Sequence, residues 1–151
     1  MIVNNIQLNK LFARLIKLKQ VFAKAHQAKS KSSNSRYLKK LRMYYIEKTL
    51  EISAAHYLNL SYRSKCENLH GHNWKIVVFC KSETLDADGM VVDFTHIKKI
   101  VKGQLDHKCL NDVLDCNPTA ENIARWIADR IPFCYRVSVQ ESEGNLAIYE
   151  K

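Results

Sequence analysis

Three histidines and one cysteine stand in an order that suits a metal centre with a reactive thiol beside it. Cys66, His70 and His72 fall within the stretch Lys65-Cys66-Glu67-Asn68-Leu69-His70-Gly71-His72-Asn73-Trp74, which continues into the apolar run Ile76-Val77-Val78-Phe79. Residues two apart in a strand share a face, with Cα atoms roughly 6.5–7 Å apart. His70 and His72 can therefore address one ion, and Gly71 leaves the backbone between them unencumbered. A catalytic zinc typically takes three protein ligands and keeps a fourth position open. His56, closing the run Glu51-Ile52-Ser53-Ala54-Ala55, is the candidate for the third. Three neutral imidazoles suit zinc, and iron or nickel are also compatible. A lone histidine is usually a surface or hydrogen-bonded residue; the His-Gly-His pair with a third histidine upstream lifts this set above that reading.

The other candidates each have a plainer alternative. A free cysteine is commonly a small buried hydrophobe, and Cys80, Cys109, Cys116 and Cys134 are read that way or as idle surface thiols. Cys66 differs because Lys65 adjoins it and a metal dication is expected four to six residues on. Such surroundings favour the thiolate, which is a base as well as a nucleophile. Asp106-His107 pairs a carboxylate with an imidazole, an arrangement that fixes a tautomer, though such a pair in a loop is more often simply solvated. Glu141 ends an alternating segment, where an inward carboxylate must find a partner; the plain reading is a salt bridge or an exposed strand end. Thr119 and Glu121 read equally well as helix cap and first-turn charge.

These residues need elements to hold them. The chain has 151 residues, room for one ordinary domain, and 46% of them are hydrophobic, as in a globular protein. No run approaches the roughly 18 apolar residues of a membrane span. Five cysteines, an odd and sparse set beside a metal motif, suggest a reducing cytoplasm rather than a disulfide framework. The net charge of +9 is unevenly placed: eleven of the 24 Lys and Arg lie in residues 1–42, which contain no Asp or Glu. The other 13 share residues 43–151 with all 15 acidic residues, so that region is not a basic nucleic-acid-binding domain.

Residues 1–28 carry Leu8, Leu11, Leu15, Leu18, Phe22 and Ala25 at helical spacing, and Lys29 to Lys40 has linker composition. This extension is read as a membrane-surface or RNA-binding arm, a targeting peptide, or an appendage outside the chemistry, with a start codon assigned too early. The last is favoured, because Met43 directly precedes Tyr44-Tyr45-Ile46, where the folded domain is expected to begin. Strands are predicted over Tyr44–His56 and about His72–Lys81, with a loop at Tyr57–Lys65 and a turn at Asp86-Ala87-Asp88-Gly89. A helix is predicted over about Phe94–Gln104, a polar loop over Leu105–Asp112, and a second helix to about Arg130, with Asn117 as N-cap and Pro118 at its first position. Strands at Phe133–Glu141 and Leu146–Tyr149 follow, joined at Gly144-Asn145. The order ββααββ predicts an α+β domain with a four-stranded antiparallel sheet and two helices on one face. A lone sheet of this size leaves two open edges, and closure across subunits would remove them.

The string Ser53-Ala54-Ala55-His56, then Cys66 and, after three residues, His70-Gly71-His72-Asn73, resembles the 6-pyruvoyltetrahydropterin synthase superfamily. Leu105-Asp106-His107-Lys108-Cys109-Leu110-Asn111-Asp112 is close to the family pattern too, and the likeness covers residues 43–151. It implies the tunnelling (T) fold, in which the sheets of three subunits close a barrel and two trimers stack. It also implies a zinc enzyme acting on 7,8-dihydroneopterin triphosphate, with His56, His70 and His72 as ligands. Cys66 would take a proton from the substrate side chain, assisted by His107 and Asp106. Glu141 would grip the 2-amino and ring N–H of the pterin, and Thr119 and Glu121 match a segment reaching the pterin of a neighbouring subunit. Three residues separate Cys66 from His70, as in the branch that makes 6-carboxy-5,6,7,8-tetrahydropterin for queuosine biosynthesis; the 6-pyruvoyl branch usually has five. A third branch has glutamate for the cysteine, and here Glu67 follows a Cys66 that is present. The alternative from another class is a basic-arm adaptor for RNA or an anionic membrane, with a structural zinc closed by Cys66 as fourth ligand.

Overall fold

Alternation of apolar and polar side chains gives each strand one face for the core and one that stays open. The computed structural model describes residues 17–22, 24 and 42–151. Strand β1 (Tyr44–His56) pairs antiparallel with β2 (His70–Ser82), β2 with β3 (Cys134–Ser142), and β3 with β4 (Asn145–Glu150), in the spatial order β1-β2-β3-β4. Between β2 and β3 lie helices α1 (Phe94–Leu105) and α2 (Ala120–Arg130). The expected ββααββ order and the α+β class are what the chain adopts.

The register sets which residues share a face. Ile52 lies opposite Trp74, Ala54 opposite His72 and His56 opposite His70; farther along, Ile76 meets Val139 and Val78 meets Val137. Leu50, Ile52, Trp74, Ile76, Val78, Val137 and Val139 are buried, and so are Ile97, Val101 and Leu105 of α1 and Ile123, Trp126 and Ile127 of α2. Both helices thus cover the same face, each turning an apolar stripe onto it. Each fully buried Ile, Val or Leu contributes about 1.5–3 kcal/mol of transfer free energy. The core therefore ends where the histidines begin.

Several local features depart from expectation. Strand β2 starts at His70 rather than near His72. The cap of α2 is Thr119, whose hydroxyl accepts from the Asn122 amide at 3.3 Å, and not Asn117. Asn117 is engaged elsewhere, its side chain with Asn59 and its carbonyl with Asn122 Nδ2, so Pro118 stands before the cap instead of inside the helix. The loop after α1 is only partly polar: it contains a 3-10 turn, Leu110–Asp112, and Leu110 is fully buried. The loop before β2 ends in another, Lys65–Glu67, closed by a capping box between Ser64 and Glu67. The turn at Gly89 forms as expected, with φ at +81°.

Strand β3 departs from regular pairing twice. Phe79 and Cys80 of β2 face Arg136 and Cys134, leaving Tyr135 as an extra residue. Gln140 and Ser142 face Leu146 and Asn145, leaving Glu141 as the other. Bulges of this kind re-aim a side chain. Cys80 and Cys134 are buried side by side; a hydrogen bond to Cys134 and burial push the Cys80 thiol up, so it stays protonated. All five cysteines are free.

Met1–Arg42 forms a separate unit from Met43–Lys151. Residues 17–22 and 24 are helical and exposed, within the helix expected over 1–28; the other positions of that expectation and the linker expected over Lys29 to Lys40 lie outside the described residues. No helix among the described residues is long and apolar enough to cross a membrane.

Candidate metal and thiol site

His56 closes β1 and His70 opens β2, directly opposite each other, with His72 two residues on along the same face. The ring centroids lie 4.5 Å apart for His56–His70, 5.2 Å for His56–His72 and 5.0 Å for His70–His72. One nitrogen from each falls within 4.8 Å of the others. Trp74 stands beneath, edge-on to His56 at 4.9 Å and to His72 at 5.2 Å, its indole N–H donating to the Ala54 carbonyl at 3.2 Å. The last layer of core thus supports the first layer of the site.

The hydrogen bonds show which nitrogens are free. His56 Nδ1 is 2.8 Å from the Pro118 carbonyl and His70 Nδ1 is 2.7 Å from the Asn68 carbonyl. A carbonyl only accepts, so each Nδ1 carries the proton and each Nε2 presents a lone pair. His56 Nε2 and His72 Nε2 are buried without a hydrogen-bond partner. His56 is the only buried polar residue among those described, and burial is the largest cause holding its pKa below the ordinary 6.5. It is therefore neutral, as a metal ligand must be.

Glu141 completes the arrangement. Its bulge turns the carboxylate so that Oε1 lies 3.4 Å from His56 Nε2 and 3.7 Å from His72 Nε2. At His56 a carboxylate oxygen against an imidazole lone pair sets acceptor facing acceptor, which a cation between them reconciles. Nδ1 bonded to a carbonyl with Nε2 free is also how metal-ligating histidines are usually oriented. The donor set fits a divalent metal held by His56, His70 and His72.

The remaining candidates divide between two clefts. Glu141, Thr119 and Glu121 line one of about 400 Å³, together with Leu58. His107 lines another of about 620 Å³, with Ser53, Asn73 and His72 itself, so this second cleft also reaches the histidine cluster. His107 has φ of +55° and a side chain that is 81% exposed, and its Nε2 is 4.0 Å from Asp106 Oδ1, beyond hydrogen-bond distance. Asp106 Oδ1 instead accepts from the Ser53 amide at 2.9 Å, and the His107 amide donates to the Ser53 carbonyl at 2.7 Å. Together with the Ala55 to Lys108 hydrogen bond, these cover the outer edge of β1. Cys66 is half-buried in its 3-10 turn, its carbonyl accepting from the Leu58 amide at 2.8 Å. It is not part of the histidine cluster. Among the described residues no hydrogen bond joins it to Asp106 or His107.

Comparison with known proteins agrees with this arrangement. A family profile described as 6-pyruvoyl tetrahydropterin synthase matches residues 45–151. The chain belongs to the 6-pyruvoyl tetrahydropterin synthase family. Within that family it is 31% identical over 121 residues to the 6-carboxy-5,6,7,8-tetrahydropterin synthase of Bacillus subtilis, covering 69% of this chain and 83% of the relative. It is 36% identical to the Synechocystis enzyme of the same name, covering 71% and 93%. Among solved structures, the 6-pyruvoyl tetrahydropterin synthase of Caenorhabditis elegans superposes with a TM-score of 0.59 at 26% identity, over 72% of this chain and 96% of that one. The family likeness therefore spans both product names, and its boundary falls where the folded unit begins.

Some contributors escaped the sequence reading. The Pro118 and Asn68 carbonyls orient two of the three histidines, but a backbone carbonyl leaves no mark in residue type. Trp74 was legible only as the residue after Asn73; the strand period places it on the histidine face. Glu141 was legible as a strand-end carboxylate, while its aim depends on a bulge that composition does not show.

Proposed function

We propose that the chain is a zinc-dependent carbon–carbon lyase converting 7,8-dihydroneopterin triphosphate and water to 6-carboxy-5,6,7,8-tetrahydropterin, acetaldehyde and triphosphate, a step toward queuosine. What carries the reading is the convergence of three imidazoles on the Glu141 carboxylate, which itself lines a cleft with Thr119 and Glu121. When bound, zinc would supply Lewis-acid polarisation of the substrate side-chain oxygens. The protein's own residues do the rest. Glu141 accepts two parallel N–H bonds from the pterin edge, a pairing that carboxylates favour, and Thr119 and Glu121 border the ring or that of a neighbouring copy. Cys66 removes a proton from the side chain; Leu58, which hydrogen-bonds the Cys66 carbonyl, lines the same cleft as Glu141.

Asp106 and His107 assist that proton transfer. His107 shares its cleft with His72, which sets it beside the histidine cluster, and its exposed side chain is free to meet the Cys66 of a neighbouring copy. The edge of β4, the edge of β1 ahead of Ser53, and exposed Tyr45, Leu146 and Ile148 on the uncovered face suit packing into a trimer or hexamer. The catalytic domain is residues 43–151, with 1–42 an appendage outside the chemistry, and five free thiols suit a cytoplasmic setting.

The test is turnover of 7,8-dihydroneopterin triphosphate by the zinc-loaded full chain, with products identified by mass and Cys66→Ala as control. A 6-carboxy product with acetaldehyde, lost in the variant, supports the proposal. A 6-pyruvoyl product would move the assignment to the branch whose name the nematode structure carries. Substrate left untouched by metal-loaded protein would refute it.

A further inference from the structure

Beyond His56 the β1 strand ends, yet the chain that follows remains tied on both sides. The Tyr57 amide donates to Asn111 Oδ1 at 2.9 Å, and Asn111 Nδ2 donates back to the Tyr57 carbonyl at 2.8 Å. Two residues on, the Asn59 amide donates to Asn117 Oδ1 at 2.9 Å, and Asn117 Nδ2 returns to the Asn59 carbonyl at 3.0 Å. The residue between them faces the other way: the Leu58 amide donates to the Cys66 carbonyl at 2.8 Å. In an extended chain, alternate residues direct their backbone groups to opposite edges. Two side-chain amides, each offering a donor and an acceptor, thus stand in for a neighbouring strand on one edge while the Cys66 turn occupies the other.

The same clamp reaches the metal centre. Asn117 adjoins Pro118, whose carbonyl orients His56, and the Asn117 carbonyl is itself held by Asn122 Nδ2 at 2.9 Å and by the Thr119 amide at 2.8 Å. Residues 57–59 are therefore a short bridge that starts next to a metal-ligand candidate and whose middle residue, Leu58, anchors the turn of the candidate base.

We propose that Asn111 and Asn117 are positioning residues, which hold Cys66 in register with the histidine cluster through paired amide contacts to Tyr57 and Asn59. The inference rests on the reading of Cys66 as catalytic base. Neither asparagine touches the substrate; both act through the backbone. Slack in this bridge displaces the thiol while leaving the three imidazoles on their strands, and displacement by about 1 Å can cost on the order of 100-fold in rate.

The test uses the zinc-loaded full chain carrying Asn111→Ala and Asn117→Ala together, with kcat, KM, zinc affinity by chelator competition, and hydrogen–deuterium exchange. Expected are at least a tenfold fall in kcat, KM and zinc affinity within threefold of the parent, and at least tenfold faster exchange at residues 57–59 with 46–52 unchanged. If the double variant does not fold, Asn111→Asp and Asn117→Asp carry the same test singly. Each keeps the acceptor and volume but loses the donor, and at least a threefold fall in kcat is expected. Faster exchange with kcat within twofold would overturn the proposal, because the bridge would then loosen without moving the base. A parallel loss of kcat, KM and zinc affinity would overturn it too, as the mark of general loosening. A parent protein that is itself inactive on 7,8-dihydroneopterin triphosphate would remove the catalytic reading, and this inference with it.

Discussion

Trp74→Phe probes whether the core holds the metal ligands in place. The indole is fully buried, donates to the Ala54 carbonyl at 3.2 Å, and meets the rings of His56 and His72 edge-on. Losing the hydrogen bond costs about 1 kcal/mol. A phenyl ring is smaller by roughly 40 Å³, and at about 24 cal/mol per Å³ the void adds about 1 kcal/mol, with a transfer term of about 1 kcal/mol beside it. The expected loss is therefore about 3 kcal/mol, read by urea denaturation of metal-free protein at matched protomer concentration. Because the void lies against two ligand rings, zinc affinity should also fall by about tenfold, the lower end of what outer contacts to metal ligands are worth. Competition against a chromophoric chelator measures it. A stability loss below about 1 kcal/mol would refute the packing argument. A full stability loss with zinc affinity within twofold would refute the claim that Trp74 steadies the histidines.

Three further outcomes are expected. His56 has its pKa lowered by burial, so below about pH 6.5 the unfolded chain binds a proton there that the folded chain does not. Metal-free protein should lose stability as pH falls through 6.5 and stay level above it, and His56→Gln should flatten that slope in a thermal melt series. Gly89→Ala places a side chain at φ of +81° with no atom within 4 Å of the new carbon, so backbone strain alone should cost about 1 kcal/mol, read from the urea midpoint. Glu141→Gln should abolish turnover of the pterin triphosphate while zinc remains bound at one per chain. Loss of zinc stoichiometry in that variant would make Glu141 a ligand instead of a substrate anchor.

Much of the fold was legible because the strands alternate cleanly and the helices carry one apolar stripe each. Element order and class follow from those periods, and the errors lie at boundaries. Asn117-Pro118 has the composition of a helix start, yet the helix begins at Ala120 because Asn117 finds partners in Asn59 and Asn122. Local preference yielded to a contact 58 residues away in sequence.

The site divides along the same line. His70 and His72 share a face by the strand period alone, and His56 could be joined to them because it closes a neighbouring strand whose register sets it opposite His70. By itself, then, the sequence determined the shared face of His70 and His72 and the α+β order, since these depend on periodicity and spacing. Tertiary structure alone decided that Glu141 turns toward His56 and His72, since an unpaired bulge residue directs it. It also decided that Asp106 holds the Ser53 amide while the His107 side chain stands exposed, and that two distant asparagines hold Tyr57 and Asn59 on either side of Leu58. The Asp106 and asparagine contacts are hydrogen bonds between segments about 50 to 60 residues apart, and only the folded chain brings such groups within reach of one another.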